Sequence, residues 1–125
     1  MGMTGFFDTN ILIDFINGVP EAQVATAPYS RRCISRITWL EVLAGVKDTP
    51  GEDIARTFLA QFEIIEIDCE VSEATLTLRR HHIPKLKLPD ALILASARLL
   101  GCRLITRNTR DFPVDSSDVH VPYRI

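Results

Sequence analysis

The 125-residue chain carries no surplus of positive charge, since 14 Lys and Arg stand against 16 Asp and Glu for a formal net charge of −2. No global positive field therefore draws it to nucleic acid, and any basic footprint must be local. Cysteine is scarce and odd in number. Cys33, Cys69 and Cys102 are far apart and each stands among apolar residues, which predicts buried thiols in a reducing compartment and no zinc site. Long apolar runs are missing too: the longest, ALILASARLL at 91–100, is too short for a bilayer and contains Arg98. The opening MGMTGFF has neither the charged flank nor the length of a signal peptide. Together these predict a cytoplasmic protein with no membrane partner. There is no glycine-rich loop of the Walker or dinucleotide type, which argues against ATP and NAD sites, and no internal repeat or low-complexity tract.

With 46% hydrophobic and 24% charged residues, the composition is that of an ordinary globular protein. The length suits a single domain, residues 1–125, able to hold a core without disulfides. Residues 4–7 read as a strand. The following NILIDFI sets Ile11, Leu12, Phe15 and Ile16 on a helical stripe that NGVP at 17–20 ends. RCISR at 32–36 predicts a second strand and TWLEVLAGV a helix, with Leu40, Leu43 and Ala44 along one face. Residues 52–62 place Ile54, Phe58, Leu59 and Phe62 at helical spacing, IIEI at 64–67 gives a third strand, and 70–82 a helix. After the connector IPKLKLP, DALILASARLLG is a nearly all-apolar central helix ended by Gly101. RLIT at 103–106 is a fourth strand, RNTRDF a polar turn, and VHVPYR at 119–124 a short edge strand because of Pro122. This alternation predicts a three-layer α/β/α fold around a parallel sheet of four to five strands.

Acids recur at one kind of place in this pattern. Asp8 follows the first strand, Glu41 lies in the first turn of a helix, Asp90 opens the apolar helix, and Asn108 and Asp111 follow the fourth strand. Each has an ordinary structural explanation. Asp8 is a favoured helix cap; TWLE matches a capping box with Thr38 as N-cap and Glu41 at N3. Asp90 beside Pro89 suits a helix N-terminus, and Asn and Asp suit turns. In a parallel fold, however, all of them gather at the carboxyl rim of the sheet, where ligands bind. Two carboxylates about 5 Å apart repel by roughly 3 kcal/mol at an effective dielectric near 20. Oxygen-only clusters of this kind attract hard divalent cations, Mg²⁺ or Mn²⁺. His81 and His82 lie on a different helix from the acids and read as solvated or RNA-facing.

The blocks FFDTNILID, SRITWLE, LPDALILASA and LITRNTRDF, in that order and spacing, resemble the four sequence blocks of the PIN domain, most closely its VapC-type toxin branch. The resemblance spans nearly the whole chain. It implies a PIN-like fold and a Mg²⁺-dependent endoribonuclease, the toxin of a toxin-antitoxin pair, with Asp8, Glu41 and Asp90 as the catalytic, metal-binding core. For the fourth site residue it leaves two candidates, Asn108 nearer the strand and Asp111 with its charge. Asn10 and Thr106 are the groups expected to orient the carboxylates. The resemblance further implies cleavage to a 5′-phosphate and a 3′-hydroxyl, homodimerisation, and an antitoxin whose C-terminal segment covers the pocket.

An acidic pocket repels phosphodiester, so cations must position the backbone. Arg79, Arg80, Lys85 and Lys87 precede Asp90, and Arg107 and Arg110 flank Asn108; these are the RNA-backbone candidates. Trp39, Phe58 and the segment 54–62 are candidates for a dimer or antitoxin groove. Two other readings stand beside the nuclease. One is a PIN-like domain that binds RNA or protein without cutting. The other is a receiver-like Mg²⁺-binding signalling domain, which calls for an acidic pair after the first strand and a Lys after the last core strand, where this chain has Asp8 with Asn10 and then Arg107.

Overall fold

The computed structural model describes residues 3–112 and 117–124. Five strands, β1 (Met3–Phe7), β2 (Tyr29–Ser35), β3 (Glu63–Ile65), β4 (Arg103–Ile105) and β5 (Val119–His120), form one sheet in the order β3-β2-β1-β4-β5. Every pairing is parallel. Because side chains alternate along a strand, each central strand supplies both faces. Phe6, Cys33 and Leu104 enter one core, whereas their neighbours Phe7, Ile34 and Ile105 enter the other. Helices α5 (Cys69–His81) and α6 (Leu88–Leu99) cover the first face; α1 (Thr9–Ile16), α3 (Arg36–Ala44) and α4 (Thr49–Leu59) cover the second. The expected three layers are present.

Local sequence explains most of the boundaries. Asp8, Ser35, Asp48 and Asp68 each cap the helix that follows by accepting a backbone N–H. Helix α6 buries Ala91 and the run Ile93–Ala97, as its apolar sequence requires, and Gly101 leaves it with φ 68°. Gly5 is set by a neighbour: a Cβ there would lie 2.8 Å from the Tyr29 ring.

Several expectations change. NGVP does end α1, but Pro20 also opens a further helix, α2 (Pro20–Thr26), as its first residue. Helix α3 begins at Arg36 with Ser35 as cap, so the Thr38–Glu41 capping box does not form. Its buried residues are Thr38 and Val42, while Leu40 is 48% exposed and Ala44 also faces solvent. Cys33 is buried, but Cys102 is only partly so and Cys69, in the first turn of α5, is exposed. Phe58 belongs to the core, packed on Phe15 and Phe62, and so cannot line a groove. Trp39 is flanked by the guanidinium groups of Arg36 and Arg56 at 4.8 and 5.2 Å from its ring, leaving Ile54, 65% exposed, as the open apolar residue of that segment.

Candidate active site

The order β3-β2-β1-β4-β5 reverses direction at β1: the chain moves outward to β2 and β3, then returns to the other side of β1 as β4. Such a switch point separates the loops leaving adjacent strands and opens a crevice at their carboxyl ends. Asp8 is the first residue beyond β1, and its N–H donates to the carbonyl of Ile105, the last residue of β4, at 3.0 Å. Thr106 follows directly. The crevice thus has an acid at its floor.

Asp8 is 4% exposed. Its Oδ1 accepts from the Thr9 N–H at 2.8 Å, and its Oδ2 accepts from the Thr106 hydroxyl at 2.7 Å and the Asn10 amide at 3.2 Å. Burial nevertheless pushes its pKa up from 3.8 to about 6; the Thr106 and Thr9 hydrogen bonds pull it down, and the charges of Asp90 and Glu41 push it up further. Asp90, in the first turn of α6, is also raised, first by burial and then by the charges of Asp111 and Glu41, with Lys87 opposing. Asp8 thus feels Asp90 and Glu41, and Asp90 feels Asp111 and Glu41, so the four acids, drawn from the end of β1, α3, α6 and the loop after β4, share one neighbourhood.

Supporting hydrogen bonds fix each member. Glu41, exposed at its tip, accepts from the Thr9 hydroxyl at 2.7 Å, and the Thr9 and Thr38 hydroxyls are 2.9 Å apart, tying α1 to α3. Glu41 therefore reaches towards α1 rather than back along its own helix. Asn108 is occupied by its loop: its Oδ1 accepts the Arg110 and Asp111 N–H groups, and its amide donates to Asp111 Oδ2 at 3.0 Å. Of the two candidates for the fourth position, Asp111 bears on Asp90 and Asn108 holds Asp111 in place. Thr106 is fully used, donating to Asp8 and accepting from the Asn10 amide and the Asn108 N–H.

The basic candidates divide. Arg107 Nε and Nη2 donate to Asp14 at 2.7 and 3.1 Å, and Arg79 Nε donates to the Leu86 carbonyl at 2.8 Å, so both are structural groups first. Arg80, Lys85, Lys87 and Arg110 are exposed. Asn10 and the segment 107–111 line a polar cleft of about 390 Å³ beside the acids. His81 and His82 are exposed on the far end of α5, away from the cluster's hydrogen bonds.

Sequence reasoning missed Asp14 and Tyr123. Asp14 is buried and bound by both Arg107 and the Tyr123 hydroxyl, the latter at 2.7 Å. Its signal was its place three residues after Ile11 and four after Asn10, on the inward side of α1.

Among the described residues, no three Asp, Glu, His or Cys side chains converge closely enough to grip an ion as they stand. The donor set is still that of a hard cation: four carboxylates, two of them, Asp8 and Asp90, destabilised by burial and by neighbouring negative charge. Mg²⁺ is commonly held by one or two carboxylates and retains several waters, so Asp8 and Asp90 would hold it and Glu41 and Asp111 would reach it through water.

A parallel α/β sheet with acids at its switch point defines a class of α/β domains that bind their ligands at the carboxyl rim, and the comparisons make the class specific. The PIN domain family model matches residues 5–114. The chain belongs to the PIN domain family. A chain of a toxin-antitoxin complex from Klebsiella pneumoniae is 45% identical, over 97% of this chain and 99% of that one, with a TM-score of 0.88. A chain of VapBC2 from Rickettsia felis, bound to a promoter DNA fragment, is 25% identical over 88% and 91%, with a TM-score of 0.70. In DNA-bound VapBC from Salmonella typhimurium, a chain with 24% identity over 88% and 90% shares the fold at a TM-score of 0.75. No curated protein matches the sequence.

Proposed function

We propose that this protein is the toxin of a toxin-antitoxin pair, a Mg²⁺- or Mn²⁺-dependent endoribonuclease whose site is Asp8, Glu41, Asp90 and Asp111, with Asn10, Thr106 and Asn108 as positioning groups. One observation carries the reading: at the sheet's switch point Asp8 and Asp90 are both raised above the ordinary carboxylate range, first by burial and then by the negative charges of neighbouring acids drawn from distant segments. A fold does not accumulate such repulsion for stability alone. The family match and the 45% identical chain of a toxin-antitoxin complex support the biological role.

A divalent ion bound there supplies charge neutralisation for the phosphodiester and a more acidic water. The chain's own contribution is positional. Thr106 and Asn10 hold Asp8 Oδ2 from two directions, and Asn108 holds Asp111. Glu41, the most exposed of the acids, is suited to align the attacking water. In-line attack forms a P–O bond to that water's oxygen and breaks the bond to the 3′ oxygen, which takes up a proton and leaves as the 3′-hydroxyl opposite a 5′-phosphate. Arg110 and Lys87 flank the cleft as backbone contacts.

Partners follow from the relatives. Chains of toxin-antitoxin complexes share this fold, which supports a cognate antitoxin, and we extend the reading to a homodimer. The open spacing of the acids favours the alternative, a PIN-like domain that binds RNA or protein without cutting. Total RNA incubated with EDTA-treated protein, then with Mg²⁺ or Mn²⁺, decides between them. New 5′-phosphorylated ends that vanish in Asp8→Asn are expected; equal cleavage by wild type and Asp8→Asn overturns the assignment.

A further inference from the structure

Asp14, Arg107 and Tyr123 form a cluster around one buried carboxylate that the proposed chemistry does not use. Asp14, 6% exposed, receives the Arg107 guanidinium through two hydrogen bonds and the Tyr123 hydroxyl through a third. A carboxylate withdrawn from water is tolerated when its oxygens are this well matched, and is costly once a partner is lost. The cluster joins three separate parts of the chain: α1, the loop after β4, and the segment following β5.

Its reach extends to Asp8 by one short path. With the Arg107 side chain anchored, the Arg107 N–H donates to Asn10 Oδ1 at 3.1 Å. That bond helps to fix which way the Asn10 amide faces. With Oδ1 engaged, the NH₂ must turn towards Asp8 Oδ2 and Thr106 Oγ1, at 3.2 and 3.3 Å. Released, the amide could flip and set an oxygen against the Asp8 carboxylate. The NH₂ bond to the Asp8 carboxylate favours the same orientation from the other end.

We propose that Asp14, Arg107 and Tyr123 are positioning residues for the active site, acting through Asn10 to hold the Asp8 carboxylate in its working orientation. The proposal rests on the nuclease reading for its catalytic consequence but on geometry alone for the link. Tyr123, more than a hundred residues from Asp8 in sequence, is the far end of the clasp.

The test uses the full chain. In metal-free protein, side-chain amide resonances of Asn10 and the backbone amide of Arg107 are followed by ¹⁵N NMR in wild type, Tyr123→Phe and Asp14→Asn, with the Asn17 side chain as internal control. Tyr123→Phe should shift the Asn10 signals and speed their hydrogen exchange while those of Asn17 stay put. Unmoved Asn10 signals in both variants overturn the proposal, whatever the activity. In Mg²⁺-dependent RNA cleavage, Tyr123→Phe should lower kcat about tenfold with KM within about twofold, in the range seen when groups behind a metal ligand are removed. In an Asn10→Ala background the same substitution should add nothing further. Additive losses in that double-mutant cycle overturn the relay through Asn10. Responsive Asn10 signals in a wild-type protein that cuts no RNA would sink the nuclease reading and leave the clasp standing.

Discussion

At the scale of single residues, Asp8 carries the most consequence. Its carboxyl is held at a pKa of about 6 against an ordinary 3.8, chiefly by burial. In the unfolded chain it releases its proton near pH 4, in the folded chain only near pH 6. The folded state therefore binds more protons between those values, and its contribution to stability, complete below about pH 4, is lost as pH rises through 6. That displacement corresponds to about 3 kcal/mol. Thermal unfolding in EDTA should show a melting temperature that declines across this window, with Asp8→Asn flattening the decline and melting higher at pH 7. Added Mn²⁺ should raise the melting temperature of wild type and leave Asp8→Asn unmoved, because only a folded state that binds the ion is stabilised by it. Asp8, Glu41 and Asp90 were legible in the sequence because strand and helix boundaries placed them on one rim. Asp14 was legible only in part: its spacing from Asn10 and Ile11 sets it on the inward side of α1, but nothing in NILIDFI names partners about ninety and more than a hundred positions later. Likewise, RNTRDF shows two polar residues after β4 but not that Asn108 spends its amide on holding Asp111.

Among the elements, central strands and α6 were the most readable, because a parallel strand buried on both faces and a helix buried nearly all round leave strong apolar runs. Shorter pieces obey local chemistry that a pattern reads ambiguously. Pro20 both stops one helix and starts another, and Ser35 outcompetes Thr38 as a cap because the chain turns into helix directly from β2. Freed from the capping box, Thr38 is buried and meets Thr9, and Glu41 is released to point at α1. The β1–β2 pairing offers a sharper test. With the Tyr29 ring 2.8 Å from the position of a Cβ on Gly5, Gly5→Ala must displace an aromatic that also packs edge-on against Phe7. Urea denaturation should register a loss of about 1–3 kcal/mol, as overpacking does.

For the molecule as a whole, the proposed nuclease reading and a net charge of −2 together require that RNA be captured locally, around an acidic cleft. Lys87 and Arg110 are the exposed cations nearest it in the chain. Charge reversal at either should weaken binding and reduce the slope of log affinity against log salt by about 0.7 per lost phosphate contact. Filter binding across a salt series checks this, and an unchanged slope removes that residue from the footprint. Reversal at Arg107 should instead destabilise the fold, because it abandons buried Asp14. The order of the sheet has one more consequence. β1 is made well before its neighbour β4 and the loop bearing Asp111. A nascent chain halted before that point would hold Asp8 with half its surroundings absent. Under the nuclease reading, a fragment that lacks β4 and the loop after it should therefore cleave no RNA.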